Sequence, residues 1–327
     1  MSIVKKAVKS RTVVLLVIFA LLAVYFNIRS KGVYLGWSNV RFILTTIMPA
    51  AYITIGAVFL MIMGNIDISA SRVASLSGVV MAKLMIAGLP WYAAIFFTLV
   101  IAGGIGAFTS VLVNEFRIPT FVATMAMSYI TMGATLLLCS GFTTDIENKT
   151  IKWLGTYKFG GEVPLTLVFT AVVFVVCGVV LARTKFGKSV YLSGGNPSAA
   201  KLSGLKPRRI SYILFALNAA LCAIAGMINA ARMWGATSSG VGYGPFEGIT
   251  CALIGGVAFG GGSGNMGGAF AGLLLINGFN NGLSILFVAP YWKNIASGFL
   301  LLLALMLDFF SARKRIFNYS QRGAVIK

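Results

Sequence analysis

Apolar runs of about twenty residues, divided by short breaks of glycine, proline and charge, set the rhythm of this chain. A lipid core about 30 Å thick is crossed by about 20 helical residues. By that measure the runs predict about ten membrane spans, at residues 12–28, 41–63, 72–89, 91–113, 120–141, 163–182, 210–231, 247–260, 267–289 and 293–310, the eighth the shortest. The expectation is an all-α, polytopic membrane protein with one transmembrane domain over residues 1–327.

Two polar intervals are longer than the rest. Residues 142–162 carry Asp145, Glu147, Glu162 and three lysines, a surface able to meet an external partner. Residues 183–209 are the most basic stretch, and within them "GGNPSAAKLSGLKP" spells out a short helix by its ends. Asn196 suits the N-cap, and Pro197 suits the first turn, where its missing N–H costs nothing. Ala199, Ala200, Lys201, Leu202 and Ser203 continue the helix, Gly204 suits the position past the C-cap, and Pro207 blocks continuation. A helix of about two turns is marginal alone in water, so it is expected to dock onto something.

Composition fixes the solvent. Of 327 residues, 58% are hydrophobic and 10% charged, with a mean hydropathy of +0.90. Water-soluble domains keep roughly 25% charged residues. The net charge of +20 would suit nucleic acid only as a stripe on a soluble surface. With the N-terminus inside and ten crossings, eighteen of the 27 basic residues fall in cytoplasmic segments and eight outside. That is the bias of an inner-membrane protein with both ends in the cytoplasm, so membrane lipid is an expected partner and nucleic acid is not. Lys5, Lys6, Lys9 and Arg11 precede the first run as in a secretory signal, but Asn27, Arg29 and Lys31 follow where a small-residue cleavage site belongs. The first run reads as a retained span.

Candidate chemistry is sparse. Histidine is absent, and Cys139, Cys177, Cys222 and Cys251 each lie in an apolar run without C-x-x-C spacing, so packing is their expected role. No catalytic residue and no metal ligand is assigned. Residues 262–267 match the G-x-G-x-x-G spacing of dinucleotide sites, a fingerprint that also needs a preceding strand and an acidic residue about 20 positions on. Apolar spans flank it here, and no acidic residue occurs between Glu247 and Asp308. Gly264, Gly268 and Gly272 instead recur at every fourth position, and Gly278 with Gly282 repeats the spacing, as on a helix face that admits a close neighbour. "FGKS" at 186–189 imitates the end of a P-loop, but Ala182 stands where the first glycine belongs. The chain is not expected to hold ATP itself. Around residues 63–78, "MGNIDISASRVASLSG" echoes the glycine run as a second interruption after an apolar helix, and paired interruptions flank transport pathways.

Three segments, "TKFGKSVYLSGGNPSAAKLSGL", "LIGGVAFGGGSGNMGGAFAGLLLINGFNNGL" and, more loosely, "MGNIDISASRVASLSG", resemble the ribose- and xylose-type permease subunits of bacterial ABC sugar importers. The likeness covers nearly the whole chain. It implies a ten-helix subunit that pairs with a second copy or a homologue around a central path. It also implies a periplasmic or lipid-anchored solute-binding protein and a separate cytoplasmic ATPase that uses ATP and Mg, with no cofactor bound by this chain. Gly194, Gly195, Asn196, Ala199, Ala200, Leu202, Ser203 and Gly204 match the family's coupling segment; Asp67 and Ser69 match its Ile-Asp-Leu-Ser element; Asn280, Asn281, Gly282 and Leu283 match its Asn-Asn-Gly-Leu element. Gly64-Asn65 stands where the family has two glycines, and Ala70-Ser71-Arg72 where it has Val-Gly-Ser. A plainer reading of residues 183–209 is a basic loop held near anionic headgroups.

A charge at the bilayer centre costs about 2.5–3.5 kcal/mol on translocon scales, so intramembrane polar residues need a reason. Asn65 and Asp67 lie at an expected interruption, where Asp67 caps a helix end, pairs locally or gates. Asn277, Asn280 and Asn281, with Asn218 and Asn229, either bond a sugar hydroxyl or link helices. Glu247 and Arg232 flank an outer loop as a mutual pair or a contact for the binding protein, and Asp308 is placed to pair with Arg313. The expected activity is inward transport of a monosaccharide by alternating access, with Asn65, Asp67, Ser69, Asn277, Asn280 and Asn281 as pathway or gating residues. The alternative is a secondary transporter driven by an ion gradient, which needs ion-coordinating groups near the midplane.

Overall fold

The structure, a computed structural model, describes residues 11–238, 240 and 244–324, with side chains in the last helix only to residue 306 and at 309. Lys5, Lys6 and Lys9, and the side chains of the expected Asp308–Arg313 pair, lie outside what the structure describes.

Each predicted span except 247–260 falls largely on one helix, and three short helices occupy the polar intervals. In chain order they are α1 (Arg11–Arg29), α2 (Trp37–Ile62), α3 (Ala70–Ile86), α4 (Trp91–Asn114), α5 (Thr120–Cys139), α6 (Lys149–Thr156), α7 (Leu165–Arg183), α8 (Lys185–Gly195), α9 (Pro197–Leu202), α10 (Pro207–Met233), α11 (Glu247–Ile254), α12 (Met266–Ile285) and α13 (Pro290–Ala324). Among the described residues, α1, α2, α4, α5, α7 and α10 are long and apolar enough to cross a bilayer. The chain is a mostly helical, multi-pass membrane protein.

The expected span 247–260 is not a full helix. Only Glu247–Ile254 is helical, about 12 Å at 1.5 Å per residue, too short to cross. Gly255 and Gly256 end it, and glycines continue at 260, 261, 262 and 264. A run with so little side chain to bury and so much backbone entropy to lose does not propagate a helix. Order resumes at Asn265, whose side chain accepts the amide of Gly268 at 2.6 Å and caps α12. The Arg11 guanidinium donates to the Leu253 carbonyl at 3.0 Å, placing a cation at the negative end of α11.

Helix α2 is the central post. In its most apolar window 83% of residues are buried, against 17% in α1 and α7, which leave most of their surface for lipid. Pro49 lies inside α2 and has no N–H to give the Thr45 carbonyl one turn back. Arg232, at the end of α10, fills the gap by donating to that carbonyl at 2.7 Å. Helix α10 packs across α2, α3 and α4, and small residues make the crossings close. A Cβ on Gly56 would overlap the Asn218 amide, and one on Gly226 would overlap the Ala74 carbonyl. Two short antiparallel ladders, β1 (Thr144–Asp145) with β4 (Gly235–Ala236) and β2 (Lys158–Phe159) with β3 (Val163–Pro164), organise one end of the bundle. There Glu162 pairs with Arg41 at 2.8 Å, tying the interval 142–162 to the start of α2.

Candidate functional site

Two interruptions of the helical framework meet. Residues 63–69 separate α2 from α3, and residues 255–265 separate α11 from α12. The Gly262 amide donates to the carbonyl of Ile62, the last residue of α2, at 2.8 Å. The end of α8 is wedged against both. A Cβ on Gly194 would fall on the same Ile62 carbonyl oxygen, and one on Gly262 would stand 2.6 Å from the Cα of Gly195. One turn earlier, the Tyr191 hydroxyl donates to the Gly264 carbonyl at 2.7 Å, and burial raises its pKa, so the donor keeps its proton. Backbone therefore rests on backbone along a seam that a side chain at Gly194 or Gly262 would force apart.

Helix α9 projects from this seam. Asn196 accepts the Ala199 amide at 3.0 Å. At the other end Gly204, at φ +80°, donates to Lys201, and Leu205 donates to Ala200, each at 3.0 Å, the paired bonds that close a helix around a left-handed residue. Pro197 takes the first turn. Ala200 turns inward, whereas Ala199, Lys201 and Ser203 face out and Leu202 is 92% exposed. The preceding helix α8 was missed in the sequence. Its one local signal is Thr184, whose hydroxyl accepts the Gly187 amide at 3.1 Å as an N-cap.

The first interruption is held by polar side chains. Asp67 accepts the amide and hydroxyl of Ser69 at 2.7 and 2.6 Å, closing the turn into α3, and accepts the Asn218 amide of α10 at 2.6 Å. Asn65 accepts the Thr120 hydroxyl at 3.1 Å and approaches the Ser211 hydroxyl at 3.5 Å. Asn114, another residue missed in the sequence, donates to Ser211 at 2.9 Å and to Ser110. Asn65, Asp67 and Ser69 are thus brought together as braces between α2, α3, α5 and α10.

Asn277, Asn280 and Asn281 lie elsewhere, about 16 Å or more along α12 from Met266. They line a cleft of about 550 Å³ between α2, α11, α12 and α13. Asn281 exchanges amide hydrogen bonds with Asn39 at 3.0 and 3.1 Å, a helix link. Asn277 donates to its own helix at Leu273, 3.0 Å away, while the side-chain oxygen of Asn280 is buried with no hydrogen-bond partner among the described residues. Glu247, Thr250, Asn294 and Ser297 complete the polar wall, with Phe42 and Phe246 beside them. Among the described residues Glu247 pairs with no basic side chain.

The expected single glycine face resolves into three environments. Gly264 precedes α12 at φ +145°, outside any helix. Gly268 and Gly272 abut the Gly255 and Cys251 carbonyls around α11, whereas Gly278 and Gly282 abut Phe19, Tyr34 and Phe26 on the side of α1. Six residues separate Gly272 from Gly278, about 600° of turn, so the two pairs face different neighbours.

The family described as branched-chain amino acid transport system, permease component, matches residues 39–305. The D-allose transport system permease protein of Escherichia coli K12 is 30% identical over 298 residues, spanning 89% of this chain and 89% of that protein. The ribose import permease protein of Haemophilus influenzae is 30% identical over 284 residues, 85% of this chain and 87% of that protein. The xylose transport system permease protein of the same species is 27% identical over 373 aligned positions, covering 94% and 99%. No solved structure matches the chain.

Proposed function

The chain belongs to the branched-chain amino acid transport system permease family, and from that premise we propose that it is the permease subunit of an ATP-driven ABC importer carrying a monosaccharide inward across the inner membrane. The names of its relatives, D-allose, ribose and xylose permeases, support the solute class. In this reading the chain crosses the membrane ten times, α11 and the glycine stretch after it forming a broken eighth passage. Both termini, the seam and α9 are cytoplasmic, and the cleft opens outward. ATP and Mg belong to a partner ATPase seated on α9, solute arrives from a periplasmic or lipid-anchored binding protein, and a second copy or a homologue completes the path.

The observation that carries the reading is the seam. Closing ATPases would push on α9 and hence on α8, whose Gly194 and Gly195 bear on Ile62 and Gly262 with no side chain between to absorb the movement. Packed interiors transmit such displacements because they have little room to compress. One branch reaches the brace of Asn65, Asp67 and Ser69; the other reaches α11, a rigid eight-residue rod with Glu247 and Thr250 on the cleft wall. Alternating access follows if these two branches open opposite ends of the path in turn. Gradient coupling is less favoured, because Asp67 spends its hydrogen bonds on Ser69 and Asn218, groups that hold helices rather than an ion.

Ala199→Arg tests the coupling. It puts a long cation on the exposed face of α9 without entering the bundle. The variant should fold, fail to co-purify with its ATPase and lose ATP-dependent uptake. Retention of both association and uptake would remove α9 from the coupling route.

A further inference from the structure

The cleft between α2, α11, α12 and α13 has polar groups that helix packing leaves unused. An acceptor buried without a partner costs about 1–3 kcal/mol, and the side-chain oxygen of Asn280, a residue of the cleft wall, has none among the described residues. Glu247 stands in the first turn of α11 and forms no ion pair among the described residues. The Lys293 ammonium already donates to Ser284 at 2.7 Å. Phe246 and Phe42, 41% and 56% exposed, give the same space flat apolar faces. A volume of about 550 Å³ lies within the roughly 300–1,000 Å³ of small-molecule sites.

The Glu247 carboxylate and the Asn280 side chain supply acceptors to the cleft wall, and aromatic rings stand beside them. A sugar ring matches that pattern, because each hydroxyl donates and the C–H faces of the ring stack on aromatics. We propose that this cleft is a receiving site for one neutral polyhydroxylated ring, held by Glu247 accepting from adjacent hydroxyls and by the Asn280 oxygen accepting from another. The assignment rests on the permease reading given above.

The test uses the complex of permease and ATPase in lipid nanodiscs, with Ser297→Cys as a reporter on the cleft wall. Its labelling by a membrane-impermeant maleimide is timed against D-allose, D-ribose, D-xylose and L-leucine, after subtraction of the rate for the unsubstituted complex with its four free cysteines. At least one sugar should slow labelling severalfold while leucine does not. In the reporter background Glu247→Gln should raise the sugar concentration for half-protection about tenfold, the effect of weakening one hydrogen-bonding anchor by about 1.4 kcal/mol. If that variant fails to assemble, Asn280→Leu serves the same comparison. Labelling indifferent to all three sugars, protection by leucine, or unchanged protection in the variant overturns the assignment. ATP-driven sugar uptake without protection would sink the cleft assignment and leave the permease reading standing; neither uptake nor protection would sink both.

Discussion

Gly194 and Gly195 are neighbours at the end of α8 whose surroundings predict opposite outcomes for the same substitution. A Cβ on Gly194 lands on the carbonyl oxygen of Ile62, whereas one on Gly195 meets only the Cα of Gly262 at 3.6 Å, an ordinary contact. Exchange of glycine for alanine in a helix gains up to about 1 kcal/mol, a term common to both variants. Overpacking costs about 1–3 kcal/mol, and Gly194→Ala belongs at the upper end because the obstructing atom is backbone rather than a side chain able to rotate. At about 3 kcal/mol the equilibrium between seated and displaced α8 shifts by more than about a hundredfold. The two variants should be compared in proteoliposomes carrying the partner ATPase and binding protein, by thermal midpoint and by solute moved per ATP hydrolysed. Gly194→Ala should melt lower and transport less per ATP, and Gly195→Ala should stay close to the unsubstituted protein. Equal behaviour, or greater damage from Gly195→Ala, would refute the seam as the coupling contact.

Other consequences follow from single bonds. Arg232→Met orphans the Thr45 carbonyl that Pro49 leaves free, which should cost about 1–3 kcal/mol in denaturant unfolding. Asn218→Ala removes one of the bonds to the Asp67 carboxylate and should cost about 1.5–3 kcal/mol, with Asp67→Asn in the same background recovering part of it. Gly204→Ala forces an alanine to φ +80° at a cost of about 1–2 kcal/mol and should speed amide exchange in α9 while leaving α10 unchanged. Tyr191→Phe loses the bond to the Gly264 carbonyl and should weaken the seam by about 0.5–1.5 kcal/mol, read as faster exchange at residues 255–265.

What could be read from the sequence was whatever local chemistry decides. The apolar runs marked where helices form, and the ends of α9 were visible because Asn196, Pro197 and Gly204 act within four residues of themselves. The break after Ile254 was harder, since Val257, Ala258 and Phe259 keep the run apolar while the glycines around them stop the helix. Gly264 shows the limit of spacing, because it shares the rhythm of Gly268 and Gly272 yet lies before the cap at Asn265. The bonds that carry the braces from helix to helix, and the seam, had no local signal. Asp67 meets Asn218 across 151 residues, and Gly262 meets Ile62 only once α2 and the glycine stretch have packed. The cleft was half visible: three asparagines in an apolar helix stood out, but their division into one helix link and one unpaired oxygen depends on Asn39 and on the angle of α12.

The most direct measurement of the central claim is sugar uptake into proteoliposomes holding the permease, its ATPase and its binding protein, with ATP supplied on the side of α9 and ion gradients collapsed by ionophores. Uptake of D-allose, D-ribose or D-xylose should continue under these conditions and stop when ATP is withheld. Uptake that persists without ATP and fails when the gradients collapse would contradict it.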